Sequence, residues 1–278
     1  MQLNLRKNLL LAGGCILLSA SPAQAAVFDI HLNFTSGLST DYQSYFTNAA
    51  NFWKSIITGY DFDIGGNLLN SGITIDVSGS AGAVGGTLAT AGVSYIQHSN
   101  LTSGRAVVNG GSINIDTADL PNMIANNTFQ SVIEHEMAHV LGFGTLWEAN
   151  HLYTDGIGQY TGSFGLAAYR AEFGQPAAAF VPVELGGGAG TADGHWDEVD
   201  DGFGVTGITD SQGRDMRYEL MTGWLNGPTF LSNTTIQSFR DLGYTVAAVP
   251  LPGAVWLFGS ALLSLMGLSA KKRRVGIV

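Results

Sequence analysis

The sequence predicts an α+β fold, on three observations. Short segments alternate apolar and polar residues with period two. Longer segments carry apolar residues at i, i+3, i+4 spacing. The two kinds interleave in the first half, whereas after Gly144 the pattern loosens into glycine-rich sequence and resumes clearly only in one late helix. With 278 residues, 38 Gly, 7 Pro and 12% charged residues, the chain is long enough for a sizeable core dressed in loops, and its composition is not that of a disordered chain.

Residues 1–25 read as a secretory signal: Arg6-Lys7, then apolar Leu9 to Ala20, then Ala23-Gln24-Ala25 as a small-x-small cleavage site. The single cysteine, Cys15, lies inside this apolar run. Gly13-Gly14-Cys15 is thus only a faint lipoprotein box, and the mature chain is expected to hold neither a disulfide nor a metal-blocking cysteine. Val27 to Phe34 alternates as a half-buried strand, with His31 on its polar face. Thr40, with Gln43 in capping register, is expected to open a helix whose stripe is Tyr42, Tyr45, Phe46, Ala49, Trp53, Ile56 and Ile57, with Gly59 as its stop. Ile73, Ile75 and Val77 mark a second strand.

Residues 79–112, rich in Gly, Ala and Ser, read as loops and short strands. They hold no strand–glycine loop–helix pattern that would cradle a phosphate, and His98 among them reads as a loop histidine. Ser112 to Asp116 is a short strand, and Ala118-Asp119-Leu120-Pro121 turns the chain into the next helix. For that helix Asn127 is the expected N-cap with Gln130 in register. Phe129, Val132, Ile133, Met137, Val140 and Leu141 form its apolar side, and Gly142 is its C′ stop. Gly165 to Phe173 is a short helix and residues 185–190 a flexible loop. Ser232 or Asn233 caps a last helix that ends near Leu242, with Gly243 after it. No internal repeat is present.

The helix at 129–141 carries His135-Glu136-x-x-His139. Residues four apart stack on one face, so both imidazoles project together away from the apolar side, with Glu136 beside them. Two neutral imidazoles suit a zinc ion, and the carboxylate suits a base for its water; two solvated histidines on a surface helix are the plainer alternative. Zinc hydrolysis needs a third protein ligand and an open position. Glu148, Glu172, His151 and His195 are the candidates downstream.

His135-Glu136-x-x-His139-x-x-Gly142 resembles the start of the metzincin zinc signature. The position of the usual third His holds Thr145, so the short form fails. The leishmanolysin-like branch has an insertion between the Gly and the third His, a Trp after that His, and a later Glu-Leu-Met-Thr-Gly Met-turn. Here the matching residues are Gly142-Phe143-Gly144, His195-Trp196 and Glu219-Leu220-Met221-Thr222-Gly223. The resemblance covers about Val27 to Val246. It implies a metzincin-like zincin, with a twisted mixed sheet and active-site helix above a loop-rich lower subdomain. It also implies His135, His139 and His195 as zinc ligands, Glu136 as general base, and Met221 beneath the metal. The activity implied is zinc-dependent cleavage of peptide bonds in proteins, with an extended substrate pairing along an edge strand placed near Ser112–Asp116. Three departures stand out. The larger relatives are rich in cysteine, and they carry a pro-segment. No Tyr stands two residues after Met221, leaving Tyr218 as the nearest tyrosine.

The ends differ from the body. No Asp or Glu precedes Asp29 or follows Asp241, and six of the 12 Lys and Arg lie outside these limits, so the body sets 22 acids against six bases. Such a charge disfavours nucleic acid and anionic lipid as partners, and equally it suits plain solubility after export. The acidic stretch Asp197 to Asp215 offers hard oxygen donors for calcium but lacks the Asp-x-Asp-x-Asp-Gly spacing; a solvated acidic loop is the alternative. Val249-Pro250-Leu251-Pro252, the 18 uncharged residues Gly253 to Ala270, and Lys271-Lys272-Arg273-Arg274 form a separate module, long enough to span a membrane with its end in the cytoplasm. This tail resembles PEP-CTERM sorting signals of the Val-Pro-Leu-Pro-Ala type, with Gly253 in place of Ala. The resemblance implies processing by an exosortase-type enzyme in a Gram-negative envelope, with a simple anchor as the alternative. The expected organisation is a signal at 1–25, a catalytic domain at 26–246 and a sorting tail at 247–278. The protein so read is exported to the cell envelope or beyond; a non-catalytic surface or matrix binding protein on a protease fold is the other reading.

Overall fold

The structure, a computed structural model, describes residues 28–61, 72–97, 105–198 and 204–247. The expected signal with Cys15, His98, and the tail from residue 248 onward lie outside them. Among the described residues no helix is long and apolar enough to cross a membrane.

Strand β1 (Ile30–Phe34) leads through a one-turn 3₁₀ segment into α1 (Gln43–Ile56), which passes directly into β2 (Ile57–Tyr60). The cap is Ser39, whose hydroxyl accepts from the Asp41 amide, and not Thr40. Gly59 is not the helix stop either: Ile57 is already extended, and Gly59 pairs with Thr245 in a short antiparallel ladder between β2 and the last strand. Then come β3 (Ile73–Ser80), β4 (Ala89–Gln97) and β5 (Ala106–Asp116). The stretch expected as loops and short strands thus forms two long ones. Small residues mask their period, because an Ala or Gly on the buried side gives alternation little contrast.

These strands make a mixed sheet of order β1-β3-β5-β4, with β1, β3 and β5 parallel and β4 antiparallel to β5. Ser112–Asp116 therefore belongs to an interior strand, and the edge on its side of the sheet is β4, a correction to the expected placement. Ile73, Ile75 and Val77 of β3 and Ile113 and Ile115 of β5 are buried on one face. Ser78 of β3 and Asn114 of β5 share the opposite face, where the Asn114 amide donates to the Ser78 hydroxyl at 2.8 Å.

Ala118–Pro121 is more than a turn: it runs into α2 (Leu120–Ala125), with Pro121 in its first turn. Asn127 then takes a left-handed φ of 56° between helices, so it cannot cap α3 (Phe129–Val140); Thr128 holds the N-cap position and makes no side-chain cap bond. Helices α1 and α3 pack together on the apolar face of the sheet. The Trp53 indole, fully buried, donates to the Glu134 carbonyl at 2.9 Å and ties the two helices. A side chain at Gly111 in β5 would collide with Val140 of α3 at 2.7 Å, so the glycine permits the close approach of helix to sheet.

The second half is held by short elements: β6 (Gln159–Tyr160) pairs with β7 (Val181–Pro182), and α4 (Ser163–Glu172) packs on α5 (Asn233–Asp241), which β8 (Tyr244–Val246) follows. The two helices cap each other. Glu172, the last residue of α4, accepts from the amides of Asn233 (2.9 Å) and Thr234 (2.8 Å). Asp241, the last residue of α5, accepts from those of Phe164 (3.0 Å) and Gly165 (2.8 Å). Each N-terminus thus meets an anion, the charge its orphan donors favour. Ser232 is the residue that caps α5 with its own hydroxyl, bonded to the Thr235 amide.

Candidate metal centre

Helix α3 ends in a Schellman motif. The Gly142 amide bonds the His139 carbonyl (3.0 Å) and the Phe143 amide the Ala138 carbonyl (3.0 Å), with Gly142 at φ 104°. The reversal brings the Phe143 carbonyl back to His139, whose Nδ1 lies 2.9 Å from it. His135 Nδ1 lies 2.7 Å from the Leu220 carbonyl, and His195 Nδ1 lies 2.7 Å from the Thr191 carbonyl. A carbonyl only accepts, so in each ring Nδ1 carries the hydrogen and Nε2 the lone pair.

The three Nε2 atoms form a triangle with every side 3.0 Å. Three lone pairs facing one another at that distance repel unless a cation lies among them. The spacing is close to the roughly 3.3 Å separation of tetrahedral ligands placed about 2.0–2.1 Å from zinc. Burial is the main force holding all three imidazoles neutral. It lowers the His135 pKa, keeps His139 well below its ordinary value with the other two rings adding to the effect, and takes His195 to about 3. Neutral imidazole is the form that binds metal. The donor set therefore fits a divalent ion such as zinc.

His195 arrives from far along the chain, and the backbone shows how. The loop before it turns through Gly187, Gly188, Gly190 and Asp193, all at positive φ. It then presses on the end of α3, where a side chain at Gly144 (φ 70°) would meet the Gly194 carbonyl oxygen at 2.3 Å. Trp196 is bridged to Val183 on one side and Thr222 on the other, and its amide donates to the Met221 carbonyl at 3.0 Å. Its fully buried indole donates to the Thr235 hydroxyl at 2.8 Å. Glu219, 1% exposed, accepts from the Met221 amide (2.6 Å), the Ser232 amide and hydroxyl (2.9 Å each) and the Thr235 hydroxyl (2.7 Å). Burial raises the Glu219 pKa, and these donors oppose that by stabilising the anion. One carboxylate thus joins the turn at Met221, the start of α5 and, through Thr235, the residue after His195.

A cleft of about 810 Å³ opens over the histidines. It is lined by β4 and the residues before it (Gly86 to Ala91), by Glu136, and by Leu220 and Thr222 to Leu225. Glu136 is nearly buried, and burial raises its carboxyl pKa to about 8. The Asp116 amide donates to the Leu88 carbonyl, so in the antiparallel ladder the alternate residues Ala89 and Ala91 turn their N–H and C=O away from β5, toward the open side.

Of the residues expected at the site, the structure brings together His135, His139 and His195, with Glu136 on the cleft wall. Met221 is fully buried, one residue beyond the carbonyl that orients His135. The other candidate ligands are elsewhere: His151 is exposed with φ 58°, Glu172 caps α5, and the Glu148 carboxylate faces the Asp155 amide. Thr145 uses its hydroxyl on the His139 carbonyl at 2.7 Å, and Tyr218 is not among the residues lining the cleft. In the acidic stretch, Asp210 is bound by Arg214, and Asp215 by Thr206 and the amides of Gly207 and Arg217. These carboxylates are engaged by the protein itself. The roles of Glu219, Thr235 and the Thr191 carbonyl escaped the sequence reading; the only trace was Glu directly before Leu-Met.

A family model described as leishmanolysin matches residues 85–251, more than half of the chain. No curated protein matches it.

Proposed function

The chain belongs to the leishmanolysin family of zinc metallopeptidases, and from that premise we propose that it is an endopeptidase whose zinc ion is held by Nε2 of His135, His139 and His195. The observation that carries this reading is the triangle of three lone pairs, each fixed by a carbonyl behind it. Bound there, zinc would supply Lewis acidity toward a peptide carbonyl and toward water. Glu136 is the general base: it takes the proton of the attacking water and passes it to the leaving amine. Its raised pKa suits a group that must both accept and return a proton, and a dication bound beside it would lower that value. The outward N–H and C=O of Ala89 and Ala91 align an extended peptide as an added strand, which favours polypeptide substrates. Met221 forms the floor of the site, held by Glu219.

The two chain ends supply the rest of the reading. Residues 1–25 direct export. The segment after Val246 acts as a PEP-CTERM-type sorting tail, with an exosortase-type enzyme and the membrane as its partners. Both rest on sequence pattern alone.

One experiment tests the catalytic reading. Zinc per chain and casein cleavage are measured with and without a chelator, for the wild type and for Glu136→Ala. The expected result is stoichiometric zinc in both and cleavage only in the zinc-loaded wild type. Full activity in Glu136→Ala would sink the assignment, and zinc without cleavage in the wild type would favour a binding protein on this fold.

A further inference from the structure

Three carboxylates pack behind the loop that carries His195: Glu184 (5% exposed), Glu198 (1% exposed) and half-buried Asp197. Glu198 is satisfied, since its oxygens accept from the Trp224 amide (2.5 Å) and the Asn226 side-chain amide (2.8 Å). Glu184 is not. Its Oε1 accepts from the Gly186 amide, its Oε2 is buried with no donor from a backbone amide, hydroxyl or base, and the carboxyl within hydrogen-bond reach of it is that of Asp197. Two ionised carboxylates offer each other only acceptors, so this pair must share either a proton or a cation.

No basic side chain resolves this. Among the described residues all six bases are engaged elsewhere. Lys54 reaches Asp29, Arg105 reaches Asp61, and Arg214 reaches Asp210. Arg170 donates to the Ala178 carbonyl, Arg217 to Asn226 and the Gly204 carbonyl, and Arg240 to Gln237. With no base beside it, such a pair is strongly unfavourable while both carboxyls are ionised; a shared proton relieves it in acid, and a cation does so at neutral pH.

We propose that Glu184 and Asp197 hold a hard divalent cation of the calcium class, with main-chain and water oxygens completing its shell. All-oxygen donors select such an ion over zinc or copper. The ion would clamp the support of the catalytic loop. The Glu184 amide donates to the His195 carbonyl at 3.0 Å, and the Asp193 amide to the Glu184 carbonyl at 2.8 Å, so the segment at Glu184 backs the histidine loop. This inference stands apart from the zinc reading, which concerns different residues and a different donor chemistry.

The test uses the full chain, stripped of calcium and loaded with zinc, and terbium(III) as the probe. Trp196 adjoins Asp197, and the Trp224 amide bonds Glu198, so a lanthanide bound here receives energy from an indole. The expected result is saturable sensitised emission, displaced by calcium, together with a rise in melting temperature on adding calcium. Emission should be lost in Glu184→Gln and in Asp197→Asn while zinc per chain is unchanged. Absence of emission and of a calcium-dependent melting shift in the wild type overturns the proposal, as does emission that persists in both variants. Zinc measured on the same samples separates the two readings: zinc without terbium defeats this inference alone, and terbium without zinc defeats the catalytic one alone.

Discussion

The Glu219 carboxylate accepts the Met221 amide hydrogen over 2.6 Å, and its other oxygen accepts the Thr235 hydroxyl over 2.7 Å. The Met-turn and the anchor of Trp196 therefore hang from one buried anion. Removing it strands four donors, each costing about 1–3 kcal/mol when left unpaired. Glu219→Ala is expected to lose at least roughly 3 kcal/mol in urea denaturation, and Glu219→Gln, which turns an amide hydrogen toward existing donors, about 1–3 kcal/mol. Both variants should retain less zinc at a fixed chelator concentration, because the Leu220 carbonyl that aligns His135 moves with the turn. Wild-type stability and zinc retention in Glu219→Ala would contradict this linkage.

The choice among the candidate third ligands is open to a direct comparison. His195→Ala should lose zinc and proteolysis together, while His151→Ala, exposed and not among the residues lining the cleft, should keep both. Loss of a second-sphere partner alone weakens metal binding by about 10–100-fold, and loss of a ligand should exceed that. Atomic absorption on dialysed samples checks it; an inert His195→Ala removes the residue from the site.

Strand β4 permits a test of substrate alignment that leaves the metal alone. At Ala91 the amide faces the open edge, so proline there removes a donor to substrate and spares the β4–β5 ladder. Losing one such bond costs about 0.5–1.5 kcal/mol, and kcat/KM on extended peptides should fall roughly two- to tenfold, with zinc content unchanged. A short substrate that does not reach Ala91 should be cleaved at the wild-type rate. Equal losses on both substrates would point to damage at the centre instead.

Burial, reinforced by Glu184, raises Glu198 from 4.5 to about 7, against the pull of its hydrogen bonds. Between those values the folded chain binds more protons than the unfolded one. In calcium-free buffer this group's contribution to stability is therefore full below about pH 4.5 and is lost as the pH rises through about 7. Urea denaturation at stepped pH should show the wild type losing stability relative to Glu198→Gln across that window. A constant difference between the two proteins would refute the assignment.

Much of the architecture was legible because large side chains announce themselves. The stripe through Phe46, Ala49 and Trp53 and the alternation of Ile73, Ile75 and Val77 located α1 and β3, and both are buried as expected. The long β4–β5 pair was not legible: Gly92, Gly110 and Gly111 give no period, and what makes them strands is the partner across the ladder. The N-cap at Asn127 failed for a related reason. Asn serves equally well as a cap and as a left-handed link, and the short helix before it decided the matter.

At the site, the His-Glu-x-x-His spacing placed two rings by helix geometry alone. The third, 56 residues beyond His139, came only through resemblance, since loop closure over that distance leaves no local signature. The edge strand was misplaced by one position in the sheet, because neighbour order is a tertiary property that strand pattern does not carry.

The three imidazoles share a further trait: each is steered by a main-chain carbonyl, at Leu220, Phe143 or Thr191. Every residue type offers a carbonyl, so no single codon change can delete any of these three props. In many metal sites the steering group is an Asp or Glu, and one base change can retune or ruin the metal's affinity. Here a substitution reaches the rings only by shifting the backbone that bears the carbonyl, as loss of Glu219 does at Leu220. Random mutagenesis for altered metal binding should accordingly return changes in the ligands themselves, insertions and deletions near residues 186–194, or changes at buried residues that fix the carbonyl-bearing backbone, such as Glu219.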